Sequence, residues 1–207
     1  ASKKNSEPNY SLIEEFAGEC FMPLAYGGGV RTIDQASRIF GLGVEKICLQ
    51  SAALTDLSLV TRLAERFGSQ SVVVSVDVKR NWRGKPQLYA AAKQKSIAML
   101  WLEFAKRAAE VGAGEILLNS VHYDGTMQGP DLELIRQASS ALSVPLIATG
   151  GIGSLADIKA AVNVGASAVA AGAFFVFHGP HLDAGMNSTL LVYGSYKVSF
   201  ECHKHTS

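Results

Sequence analysis

Short apolar runs alternate along this chain with amphipathic stretches of helical period. Residues 22–26 read as a buried strand and run into Gly27, Gly28 and Gly29. Thr32 then stands where a helix N-cap belongs, with Gln35 at the capping-box position. Residues 45–49 form a second strand, and Thr55 opens a helix towards Phe67. The clearest strand is 71–78 (Ser-Val-Val-Val-Ser-Val-Asp-Val), β-branched and apolar until its end, as expected when protein covers both faces. Helices over 97–111, 131–142 and 154–164 then alternate with strands over 115–119, 144–148 and 167–172. The pattern predicts six β-α units of parallel-sheet character. Residues 81–96 interrupt it: they are polar, carry Gly84 and Pro86, and hold one short apolar patch at 88–92. A long insertion after a strand often closes over a site.

An internal repeat points to the architecture. Pro23-Leu-Ala-Tyr-Gly-Gly-Gly matches Pro145-Leu-Ile-Ala-Thr-Gly-Gly, and the same shift aligns Val30 with Ile152, Thr32 with Ser154, Gly43 with Gly165 and Ser51 with Ala173. A four-unit half duplicated into an eight-unit barrel gives such a pattern. The expected fold is therefore α/β, an incomplete phosphate-binding (β/α)8 TIM barrel with about six units present. A doubly wound sheet also alternates strand and helix, but gives no reason for the repeat. Shifted back by the repeat interval, the counterparts of strands 71–78 and 115–119 fall before residue 1. The expectation is a partial barrel over 1–181 that lacks its first two strands and has open, unpaired edges. Its 207 residues are also fewer than the roughly 250 typical of such a barrel. Residues 182–207 show no closing amphipathic helix and read as an atypical tail.

Composition adds exclusions. With 48% hydrophobic and 18% charged residues, the chain has a soluble globular make-up. A net charge of +1 with scattered basic residues asks for neither nucleic acid nor a membrane surface. No apolar run reaches the roughly 18 residues of a membrane span, and residues 1–9 lack a signal-peptide core. Cys20, Cys48 and Cys202 have no metal-ligand spacing, and three is odd for a disulfide framework. Reduced thiols in a cytoplasmic protein are the simpler reading. His178, His181, His203 and His205 form no credible metal set, so neither metal nor cofactor is expected.

The loops after the strands form the active face of such a barrel. Gly28 and Gly29 let the backbone approach a ligand just before a helix N-terminus, where amides and the helix dipole favour an anion. Gln50 and Ser51 end the neighbouring strand. Thr149, Gly150 and Gly151 repeat the first device, and Gly172 with Ala173 form its neighbour. Two such cradles on one mouth imply an elongated ligand with a phosphate at each end. Ordinary tight β-α turns would also use these glycines, but the repetition favours phosphate. Asp77 ends an apolar strand, where partial burial suits a general acid or base. A salt bridge from Asp77 to Lys79 or Arg80 is the competing reading. Asp124 and Gly125 are either a plain turn or a site where the Gly125 amide binds phosphate and Asp124 orients a hydroxyl.

Taken together these residues resemble the cyclase subunit of imidazole glycerol phosphate synthase, of histidine biosynthesis. The carriers are Tyr26-Gly-Gly-Gly-Val-Arg, Gln50-Ser-Ala-Ala, the run from Phe67 to Arg80, Val111-Gly-Ala-Gly-Glu-Ile-Leu-Leu-Asn-Ser, Tyr123-Asp-Gly-Thr-Met and Thr149-Gly-Gly-Ile-Gly. The resemblance implies a lyase with a glutaminase partner whose ammonia passes through the barrel to a bis-phosphorylated aminoimidazole carboxamide ribonucleotide. The products are imidazole glycerol phosphate and an aminoimidazole carboxamide ribotide. It assigns acid–base chemistry to two aspartates, of which Asp77 matches the fifth-strand one. The first-strand one has no counterpart here, so the chain by itself is expected to be inactive. It further carries phosphate positions to Gly29, Ser51, Asp124, Gly125, Gly151 and Ala173, and an ammonia gate to Lys46, which begins its strand at the foot of the barrel.

Some positions depart from the family. Ala173 replaces a usual hydroxyl, His122 stands where an acid is common, and the 81–96 loop lacks a usual Thr-Gly pair. Phe175-Val-Phe-His-Gly-Pro-His resembles a paralogous branch, an ammonia-channelling barrel in surface-sugar amidation. That branch, and an inactive fragment that only binds phosphate or a partner, are the alternative functions.

Overall fold

The computed structural model describes residues 7–19 and 22–174. Six parallel strands lie side by side in chain order: β1 (Ala25–Gly27), β2 (Lys46–Leu49), β3 (Val72–Arg80), β6 (Glu115–Ser120), β7 (Leu146–Thr149) and β8 (Ala168–Ala170). Each crossover therefore moves one place in the same direction. A doubly wound sheet reverses direction at a switch point; this one does not. It is an incomplete (β/α)8 barrel, as the repeat predicts. The segments 175–181 and 182–207 fall outside the described residues.

Alternation along the strands separates two cores. On β3, Val72, Val74, Val76 and Val78 face the helices and join the main apolar cluster, with Ile47, Leu49, Ile116, Leu118 and Leu146 beside them. Val73, Leu117, Ile147 and Ala170 face the other way and form a small second cluster with Cys48 and Ala168. That second face is the barrel interior, and Ser75 and Asp77 share it with Val73 because side chains alternate with period two.

The helices are α1 (Tyr10–Glu19), α2 (Ile33–Gly41), α3 (Ser51–Thr55), α4 (Ser58–Phe67), α5 (Trp101–Glu110), α6 (Leu132–Ala141) and α7 (Leu155–Asn163). The caps form where expected: Gln35 N donates to Thr32 Oγ1 at 3.2 Å, and Asp157 N to Ser154 Oγ at 3.2 Å. Three elements differ from the sequence reading. Residues 10–19 are helical. The helix expected to open at Thr55 begins at Ser58 instead, and Thr55 ends the short α3; between them the Asp56 carboxylate accepts from the Ser58 amide at 2.9 Å and so competes with the helical bond. The 81–96 insertion is an ordered hairpin, β4 (Pro86–Ala90) with β5 (Lys95–Ser96). Leu88 explains its order: the side chain is fully buried in the main core, worth about 1.5–3 kcal/mol. The hairpin pairs antiparallel with the far end of β3, Val78 to Leu88 and Arg80 to Pro86, directly above the end of β2.

Candidate functional site

The strand registers set the upper layer of the interior. Asp77 on β3 lies beside Asn119 on β6, Asn119 beside Thr149 on β7, and Thr149 beside Ala170 on β8. On the other side Leu49 pairs with Val74, which places Gln50 one residue further up. Gly27 and Thr149 end their strands, Gln50 follows β2, Asp77 and Asn119 lie towards the ends of β3 and β6, and Gly172 follows β8, so all stand towards the C-terminal end of the sheet.

Asp77 is almost wholly buried, with 7% of its surface exposed. Gln50 Nε2 donates to its Oδ2. Ser75 Oγ and Asn119 Nδ2 donate to Oδ1 at 3.2 and 3.3 Å. Burial pushes the carboxyl up, the bonds from Asn119, Ser75 and Gln50 pull it down, the Asp124 charge raises it further, and the balance leaves it at about 6. Such a group exchanges a proton readily near neutral pH, as acid–base work requires. The competing salt bridge is absent. Arg80 pairs with Asp131 instead, at 2.7 Å, and the Lys79 ammonium lies 5.1 Å over the Tyr89 ring. A partner the sequence reading missed is Asn119, whose Oδ1 is buried without a hydrogen bond among the described residues. Its signal was available, since Ser75, Asp77 and Asn119 are the polar residues at alternate positions of two apolar strands.

Around this layer lie the glycine turns. Gly28 and Gly29 hold φ of 119° and 75°, and nothing stands within 4 Å of a Cβ at Gly28. The repeated turn is built differently. A Cβ on Gly150 would meet Ser120 O at 2.6 Å, and one on Gly151 would meet Gly129 O at 2.1 Å. The second pair of glycines therefore has a packing reason to be there, namely the loop between β6 and α6. That loop carries Asp124 and Gly125 at its exposed crest, with Gly125 at φ 75°. Ser51 opens α3 beside Gln50 and donates to its Oε1 at 3.3 Å. Ala173 follows Gly172 beyond β8 with only a methyl group to offer.

Lys46 lies at the opposite end of the sheet. Its ammonium donates to Glu115 Oε1 at 2.8 Å and to Gln70 O at 2.9 Å. Both side chains are mostly buried, at 17% and 14% exposure. The partner is thus Glu115, two strands away, rather than its neighbour Glu45. From foot to top the interior runs from this ion pair, through the small apolar cluster, to the Asp77 layer. A separate cavity of about 380 Å³, lined by Leu54, Leu57, Leu88, Ile97, Met99 and Phe104, opens on the outer side under the hairpin. It does not reach Asp77.

A parallel sheet wound one way, with a titratable carboxylate and glycine turns at its C-terminal ends, is the active face of a (β/α)-barrel enzyme. The family follows from comparison: residues 1–181 match the histidine biosynthesis protein family, and the chain belongs to it. A Pseudomonas aeruginosa protein named provisionally as imidazole glycerol phosphate synthase subunit hisF2 is 49% identical over 182 residues, covering 87% of this chain and 72% of that protein. Imidazole glycerol phosphate synthase subunit HisF of Streptomyces coelicolor is 42% identical over 177 residues, covering 86% and 70%. The HisF subunit of Leifsonia xyli is 39% identical over 200 residues, covering 96% and 78%. Among the described residues no helix is long and apolar enough to cross a membrane.

Proposed function

We propose that this chain is the cyclase subunit of an imidazole glycerol phosphate synthase, and that Asp77 is its proton-transfer group on the strands present here. The observation that carries this is a carboxyl near pKa 6 at the top of an apolar interior, in a chain of this family. Ammonia from a glutaminase partner enters past Lys46 and Glu115, crosses the small apolar cluster and reaches the Asp77 layer. When its nitrogen bonds to a substrate carbon it must lose a proton, and ionised Asp77 accepts it. The protonated form then returns a proton to the departing group, so the residue ends as it began. Gln50, Ser75 and Asn119 hold the carboxylate oriented for both steps. Gly28, Gly29, Ser51, Gly125, Thr149, Gly150, Gly151, Gly172 and Ala173 line the places of the two phosphate ends of the substrate, and Asp124 orients a ligand hydroxyl. By the family resemblance a second aspartate belongs on a strand before these six.

The test is Asp77→Asn in the whole gene product, fed ammonium. Turnover falls about 10²–10⁴-fold, as for loss of a general acid–base group, while the ligand dissociation constant stays within a few-fold. Unchanged turnover removes Asp77 from the chemistry. A second reading, sugar amidation, rests on the sequence Phe175-Val-Phe-His-Gly-Pro-His, which resembles that paralogous branch. Rescue of a histidine auxotroph lacking its cyclase supports the first reading; failure to rescue, with ammonia channelling intact, supports the second.

A further inference from the structure

We propose that Arg80 is a positioning residue: through Asp131 it holds the loop bearing Asp124 and Gly125 in place above Asp77, and so sets ligand affinity at that loop. The inference rests on the reading of this loop as ligand-binding. Arg80 is three residues beyond Asp77 on the same strand, and all its guanidinium nitrogens are engaged. Nε donates to Asp131 Oδ2 at 2.9 Å, and Nη2 to Oδ2 at 2.7 Å and Oδ1 at 3.0 Å. Nη1 donates to Gly84 O at 2.9 Å, in the hairpin turn. Asp131 is 7% exposed and also caps α6, accepting from Leu134 N at 3.2 Å. One side chain thus ties together the active strand, the hairpin and the point where the loop becomes helix.

The loop is fastened on its other side as well. Val121 N donates to Val78 O at 3.0 Å, and Gly129 N to Gly151 O at 2.8 Å. Met127 is held at φ 55°, a conformation a side chain rarely adopts, which requires surroundings that leave it no alternative. Between these anchors the crest with Asp124 and Gly125 carries side-chain bonds internal to the loop, Thr126 Oγ1 donating to Tyr123 O at 2.8 Å and accepting from Gln128 N at 3.3 Å. Its position over Asp77 therefore follows from where the anchors are. A planar two-pronged donor fixes distance and direction together; a lysine ammonium cannot.

The experiment uses the whole gene product with ammonium and the bis-phosphorylated nucleotide, comparing Arg80→Met, Arg80→Lys and Asp131→Asn. Asparagine still caps a helix, so Asp131→Asn removes the charge and one of the two oxygens that accept from Arg80 while keeping the cap. Both Arg80→Met and Asp131→Asn should raise KM about tenfold or more with kcat within about threefold, because Asp77 is untouched. Arg80→Lys should not restore KM, and the double variant should be no worse than the worse single one. Calorimetric affinity for inorganic phosphate should follow the same order. That readout needs no turnover, so it survives even if the cyclase reading fails. Unchanged KM and phosphate affinity in Arg80→Met, with only a lower melting temperature, overturns the proposal. A raised KM in Arg80→Met but not in Asp131→Asn also overturns it, since Arg80 would then touch the ligand itself. Should Arg80→Met not fold, Arg80→Lys with the same readouts decides.

Discussion

Asp77 is destabilising in its ionised form. Its carboxyl rises from 3.8 to about 6 in the folded chain. Below about pH 4 folded and unfolded chains both carry the proton. Between about 4 and 6 the folded chain keeps a proton the unfolded chain has lost, so stability falls as pH rises, and above 6 the full penalty stays. At about 1.4 kcal/mol per unit, the penalty is on the order of 3 kcal/mol at most. Asp77→Asn should therefore be more stable than the parent in urea unfolding near pH 7.5, with the gain gone near pH 4. A lower unfolding midpoint at neutral pH would mean that the three donors outweigh burial. This residue was legible as an acid–base candidate because a carboxylate stands out in an apolar strand. Its environment was not, since Gln50 and Asn119 lie 27 and 42 positions away in sequence.

At the scale of elements, the two glycine turns test whether repetition in sequence means one purpose. Gly28 and its counterpart Gly150 both need positive φ, at 119° and 96°, so alanine at either strains the backbone by about 1–2 kcal/mol. Of the two, only at Gly150 would the new methyl strike backbone, at 2.6 Å from Ser120 O. Gly150→Ala should cost clearly more than Gly28→Ala, roughly 3 kcal/mol or above, as thermal or urea unfolding measures. Equal losses would mean that the end of β6 can move aside. The elements themselves were readable where their signals are local: the Thr32–Gln35 capping box and the period-two run ending at Asp77 form as expected. The hairpin was not. Its polar composition conceals that Leu88 alone reaches the main core and pins it.

Over the whole molecule, the foot of the interior is coupled to the top by what passes between them. Lys46 is held by Glu115 and Gln70 O, and among the described residues the small apolar cluster lies between it and the Asp77 layer. In the whole gene product with the glutaminase bound, Lys46→Ala should impair glutamine-driven turnover more than turnover fed by free ammonium. Equal losses from both nitrogen sources would remove the gate and leave an ion pair of structural value only.

The sequence by itself determined the class of fold, the six strands and the candidate acid–base carboxylate. Those depend on residue type, on periods of two and 3.6, and on a repeat, all of which are written locally. Tertiary structure alone decided the partners: Arg80 with Asp131 across 51 positions, Lys46 with Glu115 across 69, and Asn119 with Asp77. Each pairing depends on the register between strands or on a loop's return path. A slip of one residue would turn Asp77 from the interior to the helices, and no local signal encodes that choice.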